Sequence, residues 1–371
     1  MFMEENRENV FLENTPEQKS PRKNKILISI FLLITILVLG AGIYAFSTRT
    51  ESKILLSSTP ESEKKNNISP APFPFQELTI PYLRSRDYKS ELEEFEKVSQ
   101  NANYTSYMTS YDSDGLRIDG QLTIPTGTQP IEGFPAVVFV HGYIPPENYQ
   151  TLGNYSAYVD YLAKNGFVVF KIDLRGHADS QGEPGGAYYS SDYIIDTLNA
   201  HATLQDSDFV NPDKIGLWGH SMAGNVVSRA LASKPDIPAI SIWSGAVYTY
   251  EDFSQFSIED NSYRPPSQDS EVRRKRNELF EKYGQFDSDS DFWKQVPMTN
   301  YLSDIKGAIQ LNHAVDDDVV DIRYSRNFNE ILNKTEIVHE LNEYSSGGHN
   351  ISGSAFNQAM TDTVEFFKEN L

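Results

Sequence analysis

The sequence predicts an α/β fold over residues 76–371, a mostly parallel sheet with helices on both faces. Three observations carry this. Ala136–Val140 (AVVFV) and Phe167–Ile172 (FVVFKI) are short apolar runs without polar alternation, as strands covered on both sides require. Segments of helical length separate these runs from the next ones. Polar or glycine-bearing loops follow the strand ends, where such sheets keep their chemistry.

The elements follow in order. Glu91–Gln100 is charged and reads as a short helix. Tyr104–Tyr111 and Leu116–Ile124 alternate like two strands, joined by the turn Ser113-Asp114-Gly115. Strand Ala136–Val140 leads to helix Tyr155–Lys164, and strand Phe167–Ile172 to helix Ser191–Leu204. Strand Lys214–Trp218 leads to helix Met222–Ser233. Three more strands are expected at Ala239–Trp243, Ala308–Leu311 and Ile337–Leu341, with helices at Ile322–Leu332 and Ala355–Glu369. The polar, aromatic stretch from Tyr248 to Tyr301 breaks the rhythm. It reads as an insertion between two strands, either a cap over the site or a surface elaboration.

Upstream, residues 1–25 form a polar tail ending in Arg22, Lys23 and Lys25. An uncharged apolar run, Ile26–Phe46, follows; its 21 residues would span roughly 31 Å as a helix, the thickness of a bilayer core. Ala45-Phe46-Ser47 is only a weak cleavage signal. One transmembrane anchor is therefore expected, with the N-terminus cytoplasmic and the globular part extracytoplasmic. Residues 47–75, rich in Ser, Pro, Lys, Glu and Asn, read as a flexible linker.

Composition excludes several classes. A net charge of −20 argues against nucleic acid as a partner and against adhesion to anionic lipid. The absence of cysteine removes disulfides, thiolate zinc sites and cysteine nucleophiles.

Trp218-Gly219-His220-Ser221-Met222-Ala223-Gly224 follows a buried strand and opens a helix. A sharp strand-to-helix turn there would expose the Ser221 hydroxyl as a nucleophile and aim backbone N–H groups at a developing oxyanion. His141-Gly142-Tyr143 ends an earlier strand, and the Tyr143 and Met222 amides are the expected oxyanion donors. His141 reads as structural. Asp173 and Arg175 read as a pair bracing the neighbouring loops. The catalytic acid should follow a late strand, where Asp316, Asp317 and Asp318 are chemically equivalent choices; an acidic turn or weak cation site is the plainer reading. Of seven histidines, His349 alone sits in a glycine-flanked loop after the last strand, where a general base belongs.

With these residues assembled, the chain resembles an α/β-hydrolase of the prolyl oligopeptidase type, similar to compact dipeptidyl aminopeptidase- and acylaminoacyl-peptidase-like members. The motifs are YDSDGLRIDGQLTIP, FVHGYIPPENY, DLRGHADSQG, WGHSMAGN, LNHAVDDDVV and GGHN, spread over about residues 76–371. The resemblance implies Asp317 as the acid, four residues after His313, and supports Ser221 and His349. Ala178, Ala223 and Ala314 stand where the family commonly has glycine, which is tolerable where the backbone needs no positive φ. Large members carry a β-propeller, which is not expected in this chain, so their peptide specificity is not carried over. The expected enzyme is a serine hydrolase needing no cofactor or metal, a peptidase on short peptides or an esterase of small or lipid-like esters. The remaining alternative is an inactive membrane-tethered binding module.

Overall fold

The computed structural model describes residues 73–371. The tail, the apolar run 26–46 and nearly all of the linker lie outside the described residues. Among the described residues no helix is long and apolar enough to cross a membrane.

One nine-stranded sheet organises this part, in the order β1-β2-β3-β5-β4-β6-β7-β8-β9. Its strands are β1 (Glu96–Gln100), β2 (Tyr104–Ser113), β3 (Leu116–Pro125), β4 (Phe134–Val140), β5 (Val168–Ile172), β6 (Val210–His220), β7 (Ala239–Trp243), β8 (Ala308–Ala314) and β9 (His339–Tyr344). From β5 through β9 all pairings are parallel, while β1, β2 and β3 form an antiparallel margin. The helices are α1 (Ile80–Ser85), α2 (Ser156–Lys164), α3 (Asp192–Gln205), α4 (Ala223–Ser233), α5 (Glu271–Tyr283), α6 (Arg323–Leu332) and α7 (Phe356–Asn370).

Alternation along β4 shows how both faces are covered. Val137 and Phe139 join a core with Val159 and Leu162 of α2 and Val364 and Phe367 of α7. Ala136, Val138 and Val140 point the other way, into a core with Leu198 of α3 and Val226 and Val227 of α4. A strand buried on both faces reads as a continuous apolar run, which is why AVVFV is legible as sheet interior.

Chain direction sets the place of the site. From β4 the chain crosses to β5 on one side, then returns to β6 on the other, so the order reverses between β4 and β6. Crevices at such reversals, beyond the carboxyl ends of the strands, are where open α/β sheets bind ligands. The segment carrying Tyr143 follows β4, and Ser221 follows β6.

Two expectations need correction. Glu91–Gln100 is not a helix: its second half is edge strand β1, pairing Glu96 with Met108 and Gln100 with Thr105. Leu92, Phe95 and Val98 recur at helix-like spacing, but pairing with β2 satisfies the backbone on one side and lets Phe95 pack on Tyr107 and Phe209. Asp173 and Arg175 do not pair with each other. Arg175 turns to α3 and meets Asp196 at 2.6 Å and Asp192 at 3.3 Å, while Asp173 accepts hydrogen bonds from Tyr149 and Thr151. Leu174 between them adopts φ 49°, and that turn separates the two side chains.

The insertion between β7 and β8 contains α5 and a cluster of aromatic rings that includes Tyr250, Phe286 and Trp293. Its Ser257–Glu259 stretch lies antiparallel to Val319–Asp321, joined through the Ile258–Val320 bridge. Farther on, the Arg264 N–H donates to the Tyr143 hydroxyl and the Tyr263 ring packs on Tyr143. The insertion is thus fixed to the loop after β4 and to the loop after β8.

Candidate active site

Ser221 occupies the bend between β6 and α4 at φ 55°, a region costly for a side chain bearing Cβ. The bend is held at both ends: the Ser221 N–H donates to Trp243 O at 2.8 Å, and Gly224 N–H donates to Ser221 O at 2.9 Å. Gly219 makes the crossing possible, since a Cβ there would lie 2.7 Å from Ala223 O and 3.0 Å from Val227. Ala223 sits inside α4 and needs no glycine, and Ala314 lies in β8. Ala178 does adopt positive φ, at 47°, so of the three alanines only it carries backbone strain.

The loop after β8 supplies Asp317, whose side chain is wholly buried. Its Oδ2 accepts from His349 Nδ1 at 2.9 Å, and His313 Nε2 lies 3.1 Å from the same oxygen. Its Oδ1 accepts from the Val319 and Val320 N–H groups at 2.9 and 3.0 Å. Burial alone would raise the Asp317 pKa. The hydrogen bonds from His313, His349 and the backbone outweigh burial and hold it well below the usual carboxylate range. His313 Nε2 faces two acceptors, Asp317 Oδ2 and Val320 O, so that nitrogen carries a proton.

The other two acids differ in what they touch. Asp316 is exposed and accepts from the Gly348 N–H at 2.8 Å and the Gly347 N–H at 3.3 Å, which fastens the histidine loop from outside. Asp318 is exposed. Only Asp317 reaches an imidazole of the expected base.

His349 lies in a one-turn element, Gly348–Asn350, entered through Gly347 at φ 138° and Gly348 at φ 59°. It is partly buried, and its ring lies 4.6 Å from that of His220. Among the described residues no hydrogen bond joins the Ser221 hydroxyl to His349; such contacts are often long in ligand-free sites.

Tyr143 and Met222 follow neighbouring strands, with Val140 of β4 paired to Gly219 of β6. Among the described residues neither backbone N–H meets an acceptor, as donors reserved for an oxyanion require. The Gly142 N–H, by contrast, is engaged by the Tyr155 hydroxyl at 3.1 Å.

Sequence reasoning missed the side chains that brace this segment. Lys171, in the middle of buried β5, donates to the backbone carbonyls of Thr151 and Asn154. Together with Asp173 it anchors the loop that runs from Tyr143 to α2. A lysine inside FVVFKI was the available signal, because a buried cation requires partners. His141 is fully buried, stacks on Tyr149 at 4.3 Å, and is pushed down to about 3 by burial, in keeping with a structural role. Among the described residues no cluster of His, Asp or Glu could hold a metal ion.

A family model described as serine aminopeptidase, S33, matches residues 131–258, the stretch that contains Tyr143, Ser221 and Met222. Prolyl endopeptidase FAP of Bos taurus is 22% identical over 292 residues, covering 76% of this chain and 36% of its own. The chain spans about a third of the length of the curated relatives it matches first. Among solved structures, acetyl xylan esterase 1 from Thermoanaerobacterium sp. superposes with a TM-score of 0.53 at 20% identity, covering 80% of this chain and 94% of that one. Porphyromonas gingivalis dipeptidyl peptidase 4 gives a TM-score of 0.52 at 19% identity, covering 72% of this chain and 36% of its own. These structural likenesses establish the α/β-hydrolase fold, and the sequence relatives establish the resemblance to serine peptidases.

Proposed function

We propose that this chain, which has the α/β-hydrolase fold and resembles serine peptidases, is an acyl-transfer hydrolase with Ser221 as its nucleophile. The observation that supports this most is the Asp317–His349 contact of 2.9 Å, on loops after adjacent strands β8 and β9, in a chain whose β6 ends in a serine at φ 55°. His349 takes the Ser221 proton through Nε2, since Nδ1 is engaged by Asp317. Asp317 fixes that tautomer and stabilises the imidazolium. The oxygen of Ser221 attacks an amide or ester carbonyl, and the Tyr143 and Met222 N–H groups receive the oxyanion. His349 returns the proton to the leaving group, an acyl-enzyme forms, and water releases it.

For the substrate we favour a peptide or amide, because a prolyl endopeptidase and a dipeptidyl peptidase are among the sequence relatives, beside a thiohydrolase. An ester is the second reading, favoured by the acetyl xylan esterase likeness over nearly the whole length of that enzyme. The insertion serves as a cap: its contacts with Tyr143 and with the Val319–Asp321 segment put it at two loops of the site. The apolar run 26–46, with cations before it, is read as a membrane anchor that leaves the catalytic domain outside.

Labelling with a fluorophosphonate tests the central claim. Wild type should react and Ser221→Ala should not; equal labelling of both, or of neither, overturns it. A panel of aminoacyl amides and acyl esters then separates the two substrate readings, and fractionation of labelled cells tests the anchor.

A further inference from the structure

The residue just before the nucleophile is a histidine, and its surroundings assign every proton it handles. His220 is buried at the end of β6. Its Nε2 lies 2.9 Å from the backbone carbonyl of His349, which can only accept, so Nε2 carries a proton. Burial first, then the neighbouring His349, pushes the His220 pKa down to about 3, so the ring is neutral near pH 7 and Nδ1 is bare. The Tyr155 hydroxyl, 2.8 Å away, must therefore donate to Nδ1. Its oxygen is left to accept the Gly142 N–H at 3.1 Å. The chain of donors runs in one direction, from Gly142 through Tyr155 and His220 to His349.

This bridge spans the site. Gly142 precedes Tyr143, an oxyanion donor in the reading above, and His349 is the base. The two loops stand on opposite sides of β6 in the sheet order, and no direct hydrogen bond joins them among the described residues. The packing is tight: a Cβ at Gly142 would sit 3.0 Å from each of His220 Nδ1, His220 O and the Tyr155 hydroxyl. Tyr155 itself holds φ 58°, an unfavourable conformation for a tyrosine, at the start of α2. The His349 loop also needs fixing, since Gly347, Gly348 and Ile351 all have positive φ; Asp316 holds Gly347 and Gly348, and the Tyr158 hydroxyl of α2 holds the Asn350 carbonyl, which leaves the His349 carbonyl to His220.

We propose that His220 and Tyr155 are positioning residues that lock the backbone of the base to the oxyanion loop, so that Ser221 meets both in one register. The proposal rests on the assignment of Ser221 and His349 given above. Their own side chains transfer no proton to substrate; they set where His349 stands.

The test uses the full chain and whichever amide or ester the wild type turns over. His220→Phe keeps the ring and removes both hydrogen bonds; kcat should fall about ten- to a hundredfold with little change in KM, the scale expected for a misplaced catalytic group. His220→Gln, whose side-chain amide can reach the His349 carbonyl, should recover most of kcat. Tyr155→Phe should lower kcat in the same sense, and adding it to His220→Phe should cost little more, because both break one chain. Equal losses in His220→Gln and His220→Phe, or losses that multiply in the double variant, overturn the proposal. Should His220→Phe fail to fold by circular dichroism, Tyr155→Phe decides, and a kcat within about twofold of wild type overturns the bridge. An active wild type with unaffected variants sinks only this inference, whereas turnover that survives Ser221→Ala sinks the reading beneath it.

Discussion

Asp317 holds His349 through one oxygen, and His313 approaches that same oxygen, at 2.9 and 3.1 Å. With two backbone N–H groups on Oδ1, the carboxylate is enclosed by donors and is kept ionised although its side chain is fully buried.

That enclosure separates three adjacent acids by experiment. Asp317→Asn keeps the shape but favours the wrong His349 tautomer, and kcat should fall by about 10⁴. Asp318→Asn, at an exposed position, should remain near wild type. Asp316→Asn should lie between them, because it weakens the hold on Gly347 and Gly348 without touching the imidazole. Steady-state kinetics on the three variants check the order; a larger loss in Asp318→Asn than in Asp317→Asn would contradict it.

Arg175 and Asp196 form a largely buried pair at 2.6 Å beside the site, with Asp196 also bonded by the Ser113 hydroxyl. Arg175→Ala strands a buried carboxylate and should destabilise the fold by about 3–5 kcal/mol. Urea unfolding measures this directly. A loss comparable to that of an exposed ion pair such as Lys164–Asp160 would show that Asp196 finds other compensation.

Buried histidines should contribute to the loss of stability in acid. His201 in α3 is fully enclosed, and burial, then Lys234, pushes its pKa down to about 3. Folded His201 stays neutral while the unfolded chain takes up a proton below about pH 6.5, so stability is full above that pH and declines as pH falls toward the folded value. His141 and His220 act in the same direction. Urea midpoints should therefore drop between about pH 6.5 and 4, and less steeply in His201→Leu. Parallel slopes for the two proteins would exclude His201 from the effect.

Tyr143 touches the insertion through its hydroxyl, while its backbone N–H meets no acceptor among the described residues. Tyr143→Phe leaves the backbone N–H in place and releases Arg264. We expect KM to change severalfold with kcat within about twofold, since ground-state contacts alone would be altered. A loss confined to kcat would instead tie the hydroxyl to the chemistry.

Ala178, at φ 47°, should gain from glycine. Relief of left-handed strain outweighs the added freedom of the unfolded chain by a margin of about 0.5 kcal/mol, and Ala178→Gly should raise the urea midpoint slightly. A lowered midpoint would mean that the chain ordering lost with the methyl group matters more.

The sequence by itself determined the sheet interior, because strands covered on both faces are mostly apolar and AVVFV, FVVFKI and AISIW carry only Lys171 and Ser241 as exceptions. It also determined Ser221 and His349 as candidates, since a serine between strand and helix and a histidine in a terminal glycine loop are local patterns. Tertiary structure decided what depends on partners distant in sequence. Glu96–Gln100 became a strand because β2 offered it hydrogen bonds. Arg175 chose Asp196 over Asp173 because a left-handed Leu174 turned it toward α3. Asp317 was separated from Asp316 and Asp318 by where each points, as three like carboxylates in a row carry no local distinction. The bridge from Gly142 through Tyr155 and His220 to His349 joins four residues spread over more than two hundred positions. No spacing rule reveals such a contact; only the fold, which pairs β4 with β6 and brings the loop after β9 to His220, joins its members.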